Sequence, residues 1–358
     1  MVGRRQKMSK LEVVSSNFTY QISIGESLLK GISQKSIMVC DKNLKSYIPS
    51  EFRTIYVESS EKNKTLTSVE SILNQLAEMG LRKDEEIVAI GGGLIQDLST
   101  MASAIYMRGV NWNYFPTTLM AMADSCIGGK SSINLEGKKN IIGNFYPPKN
   151  VFIDLNFIKS LSNEAIASGL SEAIKICFAR DKSSFENFCK FHKNLGSPEV
   201  NLVSMENLIE ESLKAKKWFV EVDEFDVAER KLLNFGHTFG HALESSTNFA
   251  IPHGIAIAIG MLIALEHPLA ICGPSEISLK GEVFSILESV RSELREYLKE
   301  FDLEKYNVAF DSDKKHNKTF YRIIVPLEGK LRLIEIDNNE ENLKIVSSIT
   351  KEVIGQFL

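Results

Sequence analysis

The stretch IVAIGGGLIQDLSTMASAIY, from Ile87 to Tyr106, joins a β-rich run to a helical run through three successive glycines. Glycines in such a turn let backbone N–H groups at a helix N-terminus approach a phosphate. Gly91 and Gly93 would open a dinucleotide-binding GxGxxG motif, but Gln96 occupies the position of its last glycine. The stretch indicates a strand–turn–helix unit, and its turn fits either a phosphate site or an ordinary tight turn.

Further β-rich runs lie on both sides of this stretch and alternate with helical patterns up to about residue 155. The predicted strands are KSIMVCD (35–41), FRTIYVES (52–59), EEIVAIGGG (85–93), NWNYFPTT (111–118) and NVFIDL (150–155). Between them, the run from Thr65 to Gly80 has apolar residues at helical spacing and ends on a glycine, a common C-terminal stop. This alternation predicts an α/β domain with a Rossmann-like fold.

The pattern becomes mainly helical from Ser162, a suitable N-cap with Glu164 in the first turn. Helices are predicted near 163–179, 200–220, 227–249, 254–272 and 275–299. The run TFYRIIVPLEGKLRLIEI (319–336) predicts a late β-hairpin. We therefore predict an α/β domain over residues 1–158, a mainly α-helical domain over residues 159–358, and an active site in the cleft between them.

Composition excludes several classes of protein. The 358 residues suffice for two cores, and 44% hydrophobic with 25% charged residues is typical of a soluble globular protein. A formal net charge of -4 argues against a nucleic-acid partner. Five cysteines without CxxC spacing predict reduced thiols in the cytoplasm and argue against a thiolate metal site. The sequence predicts neither a signal peptide nor a membrane span.

Two further segments carry residues suited to chemistry. The segment from Phe115 to Lys149 combines flexible glycines with lysines and amides, which suits anion binding, although it lacks Walker spacing. The stretch LNFGHTFGHALE, from Leu233 to Glu244, places His237 and His241 on one helix face, where both could bind one metal or each could have its own role. A carboxylate such as Glu172 with two imidazoles would leave an open position for substrate, as at a catalytic zinc.

Together these segments resemble the 3-dehydroquinate synthase family, which are NAD- and zinc-dependent cyclases of the shikimate pathway. The most specific blocks are YMRGV, FPTTLMAMADSCIGGKSSIN, GKKNIIGNFYPPK, GLSEAIK and LNFGHTFGHALE, and the match covers almost the whole chain. The family fold agrees with the predicted division into two domains. The resemblance implies conversion of 3-deoxy-D-arabino-heptulosonate 7-phosphate to 3-dehydroquinate and phosphate. The implied steps are transient oxidation by NAD, phosphate elimination, re-reduction and intramolecular aldol closure.

The resemblance also implies that the two histidines of the motif have different roles. His237 would bind zinc, or cobalt in its place, together with Glu172 and His253, the histidine of the later HG step. His241 would not be a ligand and would serve the substrate phosphate and its proton transfer. Arg108 matches an arginine that reaches across a homodimer to the neighbouring site, so the expected assembly is a homodimer.

Other family positions carry over one at a time. Those expected to bind NAD are Asp41, Glu61, Lys64, Gly92, Gly93, Asp97, Thr117, Thr118, Lys139 and Ser160. Those expected to bind the phosphorylated sugar acid are Asp124, Lys130, Asn140, Lys175, Lys216, Arg230 and Asn234, with Lys314 or Lys315. The substrate phosphate would be held by a C-terminal lysine with Lys130, Asn140 and His241. The carboxylate and hydroxyls would be oriented by Lys175, Lys216 and Arg230.

The chain departs from the family pattern at several positions. Gln96 replaces a glycine and could crowd the cofactor phosphate, and Ala228 replaces a glycine near Arg230. Ile255 replaces a glutamate beside the zinc histidine, and such a loss can reduce metal affinity or activity about 10- to 100-fold. One alternative therefore stays open, a secondary-metabolism cyclase acting on sedoheptulose 7-phosphate or a similar sugar. A polyol dehydrogenase of the same superfamily is a second alternative, but the fit of LNFGHTFGHALE argues against it. Retention of the metal-binding candidates argues against an inactive scaffold.

Overall fold

The computed structural model describes residues 8–16, 18–136, 138–195 and 201–358. Contacts within the chain divide it into two compact units. Unit 1 comprises Met1–Leu161 with Gly196–Phe225, and unit 2 comprises Ser162–Leu195 with Asp226–Leu358. Unit 1 contains a largely parallel sheet with helices, and unit 2 is mainly helical, so the predicted fold class is confirmed.

The strands of unit 1 are β1 (Ser9–Val14), β2 (Thr19–Gly25), β3 (Ile37–Asp41), β4 (Arg53–Val57), β5 (Ile87–Gly91), β6 (Trp112–Pro116), β7 (Lys130–Leu135), β8 (Lys138–Phe145) and β9 (Asn150–Asp154). One sheet has the order β1-β2-β9-β6-β5-β3-β4, and β7 pairs with β8 in a separate antiparallel hairpin. In this spatial order, each pair of neighbouring strands from β2 through β9, β6, β5 and β3 to β4 is parallel, whereas β1 is antiparallel to β2. The predicted strands correspond to β3, β4, β5, β6 and β9, which are consecutive in the parallel part.

The α-helices of the described chain are α1 (Leu66–Glu78), α2 (Gly93–Ile105), α3 (Asn163–Arg180), α4 (Lys182–Lys193), α5 (Leu202–Val222), α6 (His237–Ser246), α7 (His253–Glu266), α8 (Pro274–Glu288), α9 (Arg291–Leu298), α10 (Leu303–Asp311) and α11 (Glu340–Gly355). A π-helix, Ala121–Ser125, lies between β6 and β7. The predicted late hairpin is present as β10 (Phe320–Leu327) and β11 (Lys330–Asp337). Across the described ranges, none of these helices combines the length and apolar composition that crossing a membrane requires.

Several helix boundaries follow from local sequence. Thr65 caps α1, because its hydroxyl oxygen accepts a hydrogen bond from the Ser68 N–H at 3.2 Å, and Gly80 follows the helix with φ 70°. The predicted helix 254–272 is too long, since α7 ends before His267, whose conformation is restricted by the proline that follows. The prediction of a single helix over residues 275–299 is also wrong, because this range contains two helices, α8 and α9.

Helix α5 belongs to unit 1, although the sequence division assigned it to the second domain. Its Ser212 hydroxyl donates to the Ala123 carbonyl at 2.8 Å, and its Glu210 accepts from the Ser9 hydroxyl at 2.8 Å. Hydrophobic periodicity reveals an amphipathic helix but does not identify the surface that covers its apolar face. The chain therefore leaves unit 1 after residue 161 and returns to it for α5.

Replacing Gly254 with alanine is expected to destabilise unit 2. The Gly254 N–H donates to the Ser168 hydroxyl of α3 at 2.9 Å, and an added Cβ would lie 2.1 Å from the Ser168 carbonyl oxygen. We expect a loss of about 1–3 kcal/mol in the free energy of unfolding, measured by denaturant unfolding. Gly281→Ala in α8 is the matched control, since its Cβ would meet nothing within 4 Å. Equal stability of the two variants would contradict the close approach of α3 and α7.

Candidate active site

Three histidines meet at the N-terminal ends of two helices in unit 2. His237 begins α6, His241 follows one turn later, and His253 begins α7. Their ring centroids lie 5.2 Å (His237–His241), 5.4 Å (His237–His253) and 5.7 Å (His241–His253) apart. One ring nitrogen from each lies within 4.8 Å of the other two. Nitrogens at such separations could hold one metal ion.

Close packing of α6 on α7 brings these histidines together. Gly236 has φ 78°, a left-handed conformation that separates α6 from the preceding turn, so the predicted helix 227–249 is shorter in the structure. A Cβ on Gly260 would lie 2.1 Å from the Gly236 carbonyl oxygen. The two backbones can approach this closely only because both positions are glycine.

Glu172 of α3 completes the cluster. Its side chain is 1% exposed, and its Oε1 lies 3.7 Å from His253 Nε2. Oε2 accepts a hydrogen bond from the Lys175 ammonium, whereas Oε1 has no hydrogen-bond partner among the described residues. A buried carboxylate oxygen without a donor is unfavourable unless a cation neutralises it. The residues therefore fit a divalent metal ion bound beside His253.

Two acceptors orient the imidazole rings. His253 Nδ1 lies 3.3 Å from Glu244 Oε2, and His237 Nδ1 lies 3.3 Å from the Phe235 carbonyl oxygen. Such contacts on one ring nitrogen fix the tautomer and leave the other nitrogen for a metal. Glu244 received no role from the sequence, although it ends the HALE segment of the motif. Ile255, where the family pattern has a glutamate, is buried in α7.

The protonation of the cluster follows from its surroundings. Burial lowers the pKa of His237 well below its usual value, and the positive charge of Lys175 lowers it further. A neutral imidazole is the form that binds a metal. Burial also opposes protonation of His253, but contact with the Glu244 carboxylate and the charge of Glu172 outweigh it and raise the pKa of His253.

His241 has a different environment. Its side chain is 40% exposed, and its Nδ1 lies 3.9 Å from Asp313 Oδ2. Asp313 also accepts from the Lys315 ammonium at 2.6 Å and from the Lys315 N–H at 2.8 Å. Burial alone would raise the pKa of Asp313, but the facing His241 and Lys315 hold it well below its usual range. Lys315 is therefore joined to His241 through Asp313, whereas Lys314 is exposed.

Asp313 was not predicted from the sequence as a site residue. It precedes the two candidate lysines in the segment DSDKKHNK, and that adjacency was the available signal. Adjacency alone could not show that its carboxylate faces a histidine on α6. That contact depends on the packing of the segment after α10.

Several of the residues predicted to bind NAD follow the carboxyl ends of parallel strands in unit 1. Asp41 ends β3, Gly92 and Gly93 follow β5, Thr117 follows β6, and Ser160 ends the 3₁₀ turn that follows β9. A Cβ on Gly92 would lie 3.1 Å from Thr118 Cγ2, a close contact that would require the Thr118 side chain to shift. Ligands of parallel α/β sheets bind at this edge.

A polar cluster joins α2 to the β7–β8 hairpin. The Lys64 ammonium lies 2.6 Å from Asp97 Oδ2 and donates to Asn140 Oδ1 at 2.8 Å. Asp97 Oδ1 accepts from the Ser132 N–H at 3.0 Å. Burial raises the pKa of Asp97, although Lys64 opposes this shift. Asn140, predicted to bind the substrate, thus lies with two residues predicted to bind NAD.

Other predicted residues are distributed over both units. In unit 1, Lys216 Nζ lies 2.5 Å from Asp124 Oδ1, and Lys130 Nζ lies 5.9 Å from the centre of the Phe145 ring. Lys139 Nζ lies 4.0 Å from Glu61 Oε1. In unit 2, Arg230 is buried and the Asn234 side chain donates to the Lys231 carbonyl at 3.0 Å.

Gln96 was expected to crowd the cofactor phosphate, but its side chain is bonded to Ser125 instead. Its amide nitrogen donates to the Ser125 carbonyl at 2.7 Å, and its amide oxygen accepts from the Ser125 hydroxyl at 2.7 Å. The residue is only 4% exposed. The side chain is therefore fully engaged with the π-helix.

Family models and a curated relative match most of this chain. A family model described as 3-dehydroquinate synthase N-terminal matches residues 54–168, and one described as 3-dehydroquinate synthase C-terminal matches residues 169–316. A 3-dehydroquinate synthase from Dictyoglomus thermophilum is 34% identical over 337 residues, which cover 93% of this chain and 89% of that protein.

Two solved structures have a similar fold. One is 2-deoxy-scyllo-inosose synthase complexed with carbaglucose-6-phosphate, NAD+ and Co2+, with a TM-score of 0.82 and 22% identity over 96% of this chain and 100% of that chain. The other is 2-epi-5-epi-valiolone synthase from Streptomyces hygroscopicus subsp. jinggangensis with NAD+ and Zn2+ bound. Its TM-score is 0.78, with 19% identity over 98% of this chain and 99% of that chain. At these identities the likeness concerns the fold alone.

Proposed function

The chain belongs to the 3-dehydroquinate synthase family, and from that premise we propose that it converts 3-deoxy-D-arabino-heptulosonate 7-phosphate to 3-dehydroquinate and phosphate. The observation that carries the proposal is the buried Glu172 Oε1 beside the three-histidine cluster. We further propose that NAD and a divalent metal ion are the cofactors. Structures of similar fold contain NAD with Co2+ or Zn2+.

The proposed metal ligands are Glu172, His237 and His253. A set of three histidines is the geometric alternative, because their ring nitrogens also lie close together. Two observations favour the carboxylate set: Glu172 Oε1 has no hydrogen-bond partner among the described residues, and His241 Nδ1 faces Asp313. When bound, NAD would accept and return a hydride, and the cation would act as a Lewis acid toward a developing oxyanion.

The carboxyl edge of the sheet would hold NAD. The glycine turn opens α2, whose N-terminal N–H groups suit a phosphate. Asp41 at the end of β3 would meet a ribose hydroxyl, since a carboxylate there can accept its hydrogen bond. The other proposed NAD residues are Glu61, Lys64, Asp97, Thr117, Thr118, Lys139 and Ser160.

The proposed role of His241 follows from its contact with Asp313. With Nδ1 facing that carboxylate, His241 would present Nε2 to the substrate phosphate and exchange a proton there. Lys315, held by the same carboxylate, would supply positive charge to the phosphate. The remaining proposed substrate residues are Asp124, Lys130, Asn140, Lys175, Lys216, Arg230 and Asn234.

We also propose the homodimer, with Arg108 reaching the site of the second subunit. Arg108 is exposed and has φ 61°, and the preceding Met107 has φ 47° and is 46% exposed. Two successive left-handed residues other than glycine are strained, so the surrounding structure must hold them. Ile105 adds a further exposed apolar side chain beside them.

Catalytic amounts of NAD are expected to support many turnovers, because the proposed reaction returns the hydride that it removes. The assay combines the metal-loaded protein, heptulosonate phosphate and NAD far below the substrate concentration. Phosphate release and product identity are measured together with absorbance from NADH. NADH that accumulates in step with product would indicate a polyol dehydrogenase instead. Turnover of sedoheptulose 7-phosphate but not of heptulosonate phosphate would indicate a secondary-metabolism cyclase.

A further inference from the structure

The π-helix Ala121–Ser125 carries Asp124, one of the proposed substrate residues. The last carbonyls of any helix have no partner within that helix and need donors from elsewhere. Here three successive carbonyls receive side-chain donors: Ala123 from the Ser212 hydroxyl at 2.8 Å, Asp124 from the Lys216 ammonium at 2.6 Å, and Ser125 from the Gln96 amide at 2.7 Å. The end of the π-helix is thus held from two sides, by α5 and by α2.

Gln96 is attached to Ser125 by two hydrogen bonds with that one residue. Its Nε2 donates to the carbonyl, and its Oε1 accepts from the hydroxyl, both at 2.7 Å. A primary amide offers a donor and an acceptor side by side, which suits this reciprocal pairing. The side chain of Gln96 is buried, so water would not replace these bonds if they were lost.

The same clamp lies beside the glycine turn. Gln96 lies in the first turn of α2, and a Cβ on Gly93, the first residue of α2, would lie 3.9 Å from the Ser125 hydroxyl. The following residue, Asp97, holds Lys64 and Ser132. One turn of helix thus connects the proposed NAD turn with two groups of polar side chains.

We propose that Gln96 is a positioning residue that fixes Asp124 for the substrate by clamping Ser125. The inference rests on the proposed function and concerns a position where the family resemblance would place glycine. Asp124 is adjacent to Ser125, and its Oδ1 lies 2.5 Å from Lys216 Nζ. Without the clamp, one side of the π-helix end loses its attachment and the Asp124–Lys216 pair loses its fixed geometry. The NAD turn is unaffected, since its backbone does not depend on the glutamine side chain.

Gln96→Met tests the proposal, because methionine keeps the length and flexibility of the side chain but removes the amide. Ser99→Ala is the matched control: Ser99 is also buried on α2, and its hydroxyl has no hydrogen-bond partner among the described residues. We expect Gln96→Met to lower kcat/KM for heptulosonate phosphate about tenfold. The NAD dissociation constant, measured by calorimetry, should stay within about twofold of the wild type, because the N–H groups of the glycine turn remain.

Ser125→Ala and the double variant separate positioning from general stability. Since both residues form one clamp, the double variant should lose no more kcat/KM than Gln96→Met alone. Independent, additive losses would overturn the clamp. A drop in melting temperature with kcat/KM unchanged in the folded protein would show a structural role only and would overturn the positioning role of Gln96.

Hydrogen exchange provides a readout that needs neither substrate nor cofactor. Amide exchange over residues 119–127 should accelerate in Gln96→Met and not in Ser99→Ala. Unchanged exchange in both variants would refute the inference. If the wild type fails to convert heptulosonate phosphate while exchange responds as expected, the proposed function fails and the clamp stands as a structural device. If the wild type is active and Gln96→Met is equally active, the clamp fails and the proposed function stands.

Discussion

His237→Ala is expected to lose its bound metal ion and nearly all activity. His237 begins α6, and its Nδ1 contact with the Phe235 carbonyl leaves Nε2 for the metal. Burial favours the neutral imidazole that a metal requires, as the lowered pKa of His237 indicates. A metal acting as a Lewis acid contributes several kcal/mol, so we expect turnover to fall on the order of 10³-fold or more. Elemental analysis and kcat on one preparation provide the measurement.

A histidine of unit 2 that lies outside the proposed site provides the control for this experiment. His192 lies on α4, where its Nδ1 is 2.8 Å from Glu282 Oε2, and it takes no part in the proposed site. His192→Ala should retain both metal and turnover. Glu172→Gln should lose metal as His237→Ala does, because it replaces one carboxylate oxygen with a donor. A His237→Ala protein with stoichiometric zinc and full turnover would refute the ligand assignment.

His241→Ala should retain its metal ion and lose activity. In the carboxylate ligand set, His241 is not a ligand and its Nδ1 faces Asp313 at 3.9 Å. Its loss would remove an acid–base contribution, which typically changes the rate about 10²- to 10⁴-fold. Metal content is measured beside kcat on the same preparation. The result separates the two possible ligand sets, because the set of three histidines requires His241 for metal binding.

Three outcomes of the His241→Ala experiment have distinct meanings. Metal and activity falling together would favour the three-histidine site and contradict the separate role of His241. If both metal binding and activity are retained, His241 has only a packing role in α6. Asp313→Asn refines the result, since it removes the charge facing His241 and Lys315 but leaves the proposed ligands intact. We expect that variant to keep its metal and to lose part of the activity.

Short-range patterns predicted much of the fold. The runs that became β3, β4, β5, β6 and β9 are apolar and bounded by turn residues, so each strand could be recognised without knowledge of its partners. Thr65 and Gly80 delimit α1 by local capping and backbone conformation. The family was also predicted correctly, because its motifs are contiguous blocks of sequence.

Side-chain partners distant in sequence could not be predicted in this way. Glu244 and His253 are nine positions apart and lie on different helices, so their contact depends on how α6 packs on α7. Asp313 reaches His241 from a segment after α10 for the same reason. From the sequence, Gln96 was expected to crowd the cofactor phosphate, but its side-chain amide forms hydrogen bonds with Ser125.

The sequence by itself determined five strands of the parallel sheet, the change from an α/β part to a mainly helical part, the family, and the residue types available for chemistry. These depend on periodicity, turn residues and contiguous motifs. Only the tertiary structure decided that α5 returns to unit 1, that Glu172 Oε1 lies buried beside His253, and that Asp313 faces His241. Such contacts join residues far apart in the chain. They are fixed by close packing, as at Gly254 against Ser168, where a single methyl group would not fit.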